Sequence, residues 1–212
     1  MSRNYDFTVG IPTINQYDKL KDRLALYCMD MPDIPFIIID NGKQGIDISE
    51  LPHPWQFNVI QNPVNLGVAG SWNVICHMAF SHCDNVLLIN DDVFLGVNQW
   101  EIQDIIDEHE SDFDPYFIMG EKGLTGFIIH SDLYRQVGDF DAEFYPAYFE
   151  DNDYMERMKR AGLKPIIEPR LTPKVFEGSR SIAKDPTLND NFNRNKERFR
   201  AKWGYVPDEE NV

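Results

Sequence analysis

Cysteine is scarce in this 212-residue chain, and the three present, Cys28, Cys76 and Cys83, are too few and odd in number for a disulfide framework. A reducing, cytoplasmic setting is the expectation. Long hydrophobic runs are missing too: nothing approaches the roughly 20 apolar residues that a membrane helix needs, so no integral membrane segment is expected. The opening stretch MSRNYDFTVG has no apolar core of the kind a secretory leader carries. Positive charge is short, with 20 Lys and Arg against 35 Asp and Glu and a net charge of −15. Phosphate contacts need cations, so a duplex-DNA binder is excluded and a nucleic-acid acceptor is poorly supported. No internal repeat or low-complexity linker divides the chain, and one domain over 1–212 is expected.

What is present has the rhythm of an α/β protein. FTVGIPT (7–13), PFIIID (35–40), QFNVIQN (56–62) and NVLLIN (85–90) read as buried strands bounded by turn residues. Between them lie two helical segments, one capped by Asn15 and running to Asp30, one capped by Ser71 and running to Cys83. Strands alternating with helices imply right-handed crossovers and a mostly parallel central sheet flanked by helices. The second half differs. Helices are expected over 101–110, 131–138, 150–163 and 190–204, with YFIMG and LTGFIIH as an antiparallel pair joined by EKG. The division falls near residue 95, with a nucleotide-binding half (1–95) before an acceptor-side catalytic half (96–212).

In open parallel sheets, ligands bind beyond the carboxyl ends of the strands. Three strands here end in Pro12-Thr13, in Asp40-Asn41-Gly42 and in Asn90-Asp91-Asp92. Two adjacent carboxylates at a strand end can hold Mg²⁺ or Mn²⁺, hard cations that share their oxygen ligands with substrate phosphates. They also suit a solvated loop. Gly67 and Gly70 precede or open a helix, where backbone N–H groups can approach a phosphate, although turn geometry alone explains such glycines. Glu150, Asp151 and Asp153 crowd another helix start. The helix dipole favours acids there, and the same place is a good mount for a general base.

Together FTVGIPT, IIIDNG, NLGVAGSWN, LLINDD, GDFDAEFYPAYFEDNDYMERMKRAGLKP and RFRAKWG resemble the family-two glycosyltransferases of the GT-A fold, and their rhamnosyltransferase-like branch most. The likeness covers residues 7–204. It implies a donor that is a nucleotide-diphosphate sugar, UDP- or dTDP-linked, a carbohydrate or other hydroxyl-bearing acceptor, an Mn²⁺ or Mg²⁺ cofactor and inversion at the sugar. By that likeness Pro12, Thr13 and Asp40 hold base and ribose, and Asn65, Gly67, Gly70 and Asn73 form the loop over the nucleotide. Asp92 ligates the metal, and Asp91 contacts ribose or metal. Asp151 is the catalytic base beside Glu150.

One departure stands out. Where many relatives carry a histidine ligand before a Gly-Ser segment, this chain reads LTPKVFEGSRSI (171–182). Lys174, toward the diphosphate, and Glu177, toward the metal, are the candidates in its place. The missing histidine also leaves room for a non-catalytic nucleotide- or sugar-binding protein of the same fold. A sugar nucleotidyltransferase is the third reading, although GIPTINQYDKL lacks the glycine-rich basic loop it needs.

Residues 170–202 hold nine Lys and Arg against four Asp and Glu. That stretch reads as a solvated helix or as a positive wall toward an anion. Cys76, His77, His82 and Cys83 lack the spacing of a closed zinc site and read as packing. Tryptophans read as core, Trp203 in particular as structural. The aromatic run Phe144, Tyr145, Tyr148, Phe149 is a candidate acceptor platform. A homo-oligomer is compatible with the sequence.

Overall fold

A computed structural model describes residues 5–42, 45–110, 115–176 and 187–207. Its first half follows the strand–helix rhythm: β1 (Phe7–Thr13), α1 (Tyr17–Asp30), β2 (Phe36–Asp40), β3 (Phe57–Gln61), α2 (Gly67–Ala79) and β4 (Asn85–Ile89). A short strand β5 (Val93–Phe94) leads to α3 (Gln99–Glu110), and β6 (Phe117–Met119) and β7 (Gly126–His130) follow. Then come α4 (Ser131–Val137), α5 (Glu150–Arg160), β8 (Ile166–Ile167), β9 (Val175–Phe176) and α6 (Thr187–Trp203). The main sheet has seven strands in the order β3-β2-β1-β4-β7-β6-β8. Only β7 runs against its neighbours, pairing antiparallel with both β4 and β6. A second, two-stranded antiparallel sheet joins β5 to β9.

Alternation along the strands splits the core between two faces. Phe7, Val9, Ile11, Phe36, Ile38, Leu87 and Ile89 pack with α1 and α3. Their neighbours Ile37, Ile39, Val86 and Leu88 pack with Trp72, Ile75 and Cys76 of α2 and with Tyr154 and Met158 of α5. Both faces are covered, which is why the strands read as continuous apolar runs. Among the described residues, no helix is long and apolar enough to cross a membrane.

A third, smaller cluster joins the loop before α5 to α6. Phe144 and Phe149 are buried there against Phe199 and Val206. These two rings of the expected acceptor platform are therefore core; Tyr145 is 41% exposed, and Tyr148 is half-buried against Phe192. Beside the cluster, the fully buried Asp153 accepts from Arg157 Nε at 2.9 Å and Trp203 Nε1 at 2.9 Å, and pairs with Lys202 Nζ at 2.7 Å. Trp203 is thus structural. Trp72 is core, but Trp55 and Trp100 are 69% and 50% exposed, against the expectation.

The chain's own acids answer the positive charge of α6. Arg198 pairs with Glu143, Arg200 with Glu197, and Lys202 with Asp141 and Asp153. Arg170 is shared between Glu108 and Glu168. These four are paired with the chain's acids at the surface, and Arg180 and Lys184 of the same stretch lie outside the described residues.

Two expected caps are corrected. Gln16, not Asn15, precedes α1, and it makes no side-chain capping bond; Asn15 takes a left-handed conformation at φ 55°. Helix α2 begins at Gly67, a full turn before Ser71, whose hydroxyl donates to the Gly67 carbonyl at 2.6 Å. Small residues in that turn let the helix start early against β1. A Cβ on Gly10 would lie 2.9 Å from Leu88 and collide with Ile75 of α2.

Candidate active site

The carboxyl ends of β1, β2 and β4 are adjacent because β1 pairs in parallel with both of the others. Thr13 lies opposite Asp40 in the register. The ladder with β4 ends at Gly10↔Leu88, so Pro12 withholds its missing N–H where that ladder has already stopped. Beyond it the Thr13 hydroxyl donates to Asp91 Oδ2 at 2.7 Å. Burial pushes the Asp91 carboxyl up to about 6, the Thr13 hydroxyl works against that rise, and the charge of Asp92 adds to it. Asp40 is fully buried and turns the chain by accepting from the Gly42 N–H at 2.9 Å.

Hydrogen bonds and short chain steps connect Asp91 to the segment that leads into the acid pair. Thr13 accepts from the Asn41 N–H at 2.9 Å through its carbonyl. Asn41 then reaches α2 at two points, accepting from Leu66 N–H at 2.9 Å and donating to Ser71 Oγ at 2.8 Å. Asn65 accepts from the Gly67 N–H at 2.8 Å, and the Val68 N–H donates to the Pro146 carbonyl at 2.8 Å. Pro146 opens the short crest, residues 146–149, that ends at Glu150. Gly67 sits at φ 70°, and a Cβ there would lie 2.7 Å from the Pro146 oxygen, so only glycine allows this approach.

The crest is strained. Tyr148 and Phe149 both have positive φ, 79° and 72°, uncommon for aromatic residues and clustered at functional sites. It delivers Glu150 and Asp151 into the first turn of α5. Glu150 is 6% exposed, and its Oε2 has no hydrogen-bond partner. Burial, with the neighbouring Asp151 charge second, drives its carboxyl well above the ordinary range. Burial also raises Asp151, whose Oδ1 accepts from the Asn152 N–H at 2.8 Å. A carboxylate with raised proton affinity is suited to accept a proton.

Other expected site residues lie elsewhere. The side-chain amide of Asn73 bridges the Phe140 backbone on both sides at 2.8 Å and accepts from Tyr134 at 3.0 Å, so it is committed to the core. Gly70 lies within α2, with Leu66 as the neighbour a side chain would meet. Lys174 donates to the Gly96 carbonyl, fixed by the β5–β9 pairing and by its own N–H on the Phe94 carbonyl at 3.0 Å. That ammonium is directed at the backbone after β5. Glu177 lies outside the described residues. Cys76 is buried, and Cys83 contacts Thr8 at 3.4 Å.

Two residues have structural parts at this site that type and spacing did not reveal: Asn41, noted only as part of a strand end, and Asn195, not noted at all. Asn41 links β1, β2 and α2. Asn195 of α6, fully buried, donates through Nδ2 to the crest at Ala147 O (2.9 Å) and Tyr148 O (3.1 Å). An asparagine in a solvated helix gives no signal of such reach.

Among the described residues, no group of three or more His, Cys, Asp and Glu forms a closed metal site. The donor set nonetheless fits one kind of cation. Asp91 and Asp92 supply hard oxygens and only two side chains, as for Mg²⁺ or Mn²⁺ completed by water and substrate phosphates. The mutual repulsion of two acids, one nearly buried, is what such a cation would relieve.

The sequence matches no family model and no curated protein. Solved structures match along nearly all of it. A mannosyltransferase from Pyrobaculum calidifontis in complex with GDP-Man and Mn²⁺ superposes with a TM-score of 0.69 at 11% identity, over 98% of this chain and 67% of its own. Glucosyl-3-phosphoglycerate synthase from Mycobacterium tuberculosis in complex with phosphoglyceric acid gives 0.63 at 13%, over 97% and 82%. GalNAc-T7 with UDP, GalNAc and Mn²⁺ gives 0.63 at 12%, over 91% of this chain and 48% of its own. The chain thus has the GT-A fold of nucleotide-diphospho-sugar glycosyltransferases.

Proposed function

We propose that the chain is a divalent-metal-dependent glycosyltransferase, moving a sugar from a nucleotide-diphosphate sugar to an acceptor hydroxyl with inversion. The observation that carries this is the hydrogen-bonded path from Asp91 through Thr13, Asn41 and α2 to the crest bearing Glu150 and Asp151. In this reading the path connects the metal-side acids at the strand ends with the acid pair that opens α5. UDP- or dTDP-linked sugars are the expected donors, Mn²⁺ or Mg²⁺ the expected ion, and the neighbours holding Mn²⁺ with GDP-Man or UDP support that chemistry.

Each group has a task. Asp92, with Asp91 held by Thr13, is the cation's anchor. When bound, the cation neutralises charge that develops on the diphosphate as the sugar bond breaks. Pro12, Thr13 and Asp40 line the end of the sheet for base and ribose, and Asn65 and Gly67 shape the adjoining loop. Asp151 accepts the proton of the attacking hydroxyl, and direct displacement inverts the anomeric carbon. Asn73 and Lys174 have no part in this scheme.

The test is release of nucleotide from UDP-, dTDP-, GDP- and CMP-sugars, with Mn²⁺, Mg²⁺ or EDTA, in wild type, Asp92→Ala and Asp151→Asn. Metal-dependent turnover of one donor, lost in both variants, is the expected result. A donor that binds with metal but never turns over with any acceptor would make the chain a binding protein of this fold.

A further inference from the structure

We infer that Asn195 is a positioning residue for the acid pair, acting through the crest and touching no substrate itself. The inference rests on the transferase reading for its meaning and on geometry for its argument. The Asn195 amide nitrogen faces three backbone carbonyls, of Ala147 at 2.9 Å, Tyr148 at 3.1 Å and Tyr145 at 3.4 Å. Only the NH₂ end can face three acceptors, so the orientation is set by chemistry. Its other atom, Oδ1, is buried without a partner, a cost accepted for the sake of the donors. Arg194, one residue earlier, adds a donor to the Tyr145 carbonyl.

These carbonyls face α6 in the segment where Tyr148 and Phe149 are left-handed. Without a donor there, the crest would keep the strain of two positive-φ aromatic residues and gain nothing for it. The aromatic contacts of Phe149 with Phe192 and Phe199 hold the crest's mass, and they are non-directional. Asn195 supplies the direction. Through it, the last helix of the chain determines where Glu150 and Asp151 stand against α2 and the strand ends.

The experiment compares wild type with Asn195→Asp, Asn195→Ala and, as a packing control on the same helix, Phe199→Leu. Two readouts are taken: backbone hydrogen exchange by segment and steady-state nucleotide release from whichever of the UDP-, dTDP-, GDP- and CMP-sugars the wild type turns over with Mn²⁺. Both Asn195 variants are expected to lose protection over 144–153 and at the start of α2, with the β1, β2 and β4 segments unchanged. Their kcat is expected to fall roughly tenfold to a hundredfold, with the donor KM within about twofold, as misplacement of a reacting group predicts. Phe199→Leu, whose ring contact with Phe149 is non-directional, is expected to lower the melting temperature and to cost kcat less than either Asn195 variant. If exchange over 144–153 is unaltered, or if kcat is kept while the segment loosens, the inference is overturned. A wild type that turns over no donor would sink the transferase reading alone, and the exchange comparison would still decide the clamp.

Discussion

Glu150 has surroundings poorly suited to a charge: it is 6% exposed, its Oε2 meets no donor, and Asp151 follows it directly. Its folded-state carboxyl therefore keeps a proton well above the ordinary value of 4.5, while the unfolded chain releases one near pH 4.3. Between those points the folded state binds more protons than the unfolded, so this group lowers stability as pH rises. Glu150→Gln removes the effect. In metal-free buffer its melting temperature should exceed wild type at pH 7 by about 2–4 °C per kcal/mol relieved, with the two converging near pH 4. Parallel curves across that range would show that Glu150 ionises without penalty. Asp151→Asn tests the neighbouring role. It keeps the hydrogen bond from Asn152 and loses the base, so turnover should drop roughly 10²- to 10⁴-fold while donor affinity is retained. Equal loss of affinity would place Asp151 in donor binding instead.

At the scale of elements, the junction of α2 with the crest depends on one missing side chain. Gly67→Ala puts a methyl group 2.7 Å from the Pro146 oxygen and forces alanine to φ 70°. The strain alone is about 1–3 kcal/mol, and the crest must withdraw as well. A lower melting temperature together with lost transfer is expected; lost stability with normal transfer would show that α2 does not place the acid pair. The buried Asp153 is a second junction, and Asp153→Ala leaves Arg157 and Lys202 without it, a loss of about 3–5 kcal/mol on denaturant unfolding. These junctions were poorly legible in the sequence, whereas the elements were clear. Apolar runs bounded by turn residues located β1 to β4 within a residue or so, most clearly in β1, β2 and β4, which are buried on both faces. The start of α2 was misplaced because a serine looks like a cap, and nothing local reveals that glycine's small size lets the helix begin earlier. Adjacent carboxylates at a strand end were visible as a pair. Asn41 was visible only as part of a strand end and Asn195 not at all, since their partners lie 25 and 30, and 47–50, residues away in sequence. The contact of Lys174 with Gly96, 78 positions distant, was not legible either.

For the whole molecule, charge decides how the donor can bind. The chain carries −15, and Arg198, Arg200 and Lys202 of α6 are paired with its own acids. A nucleotide diphosphate approaching Asp91 and Asp92 without a cation meets like charge at close range. Nucleotide alone should therefore protect the fold little. Nucleotide with Mn²⁺ at a hundred times its dissociation constant should add about 2.7 kcal/mol, or roughly 5–10 °C in melting temperature for a chain of this size. EDTA or Asp92→Ala should abolish the gain. Added salt distinguishes a bound cation from a diffuse ion cloud. At 1 M monovalent salt the screening length is about 3 Å, so long-range repulsion nearly vanishes. If repulsion alone barred the nucleotide, salt would restore protection without Mn²⁺. If the cation is a shared ligand between carboxylates and phosphates, monovalent salt cannot replace it, and protection should follow the divalent ion at every ionic strength.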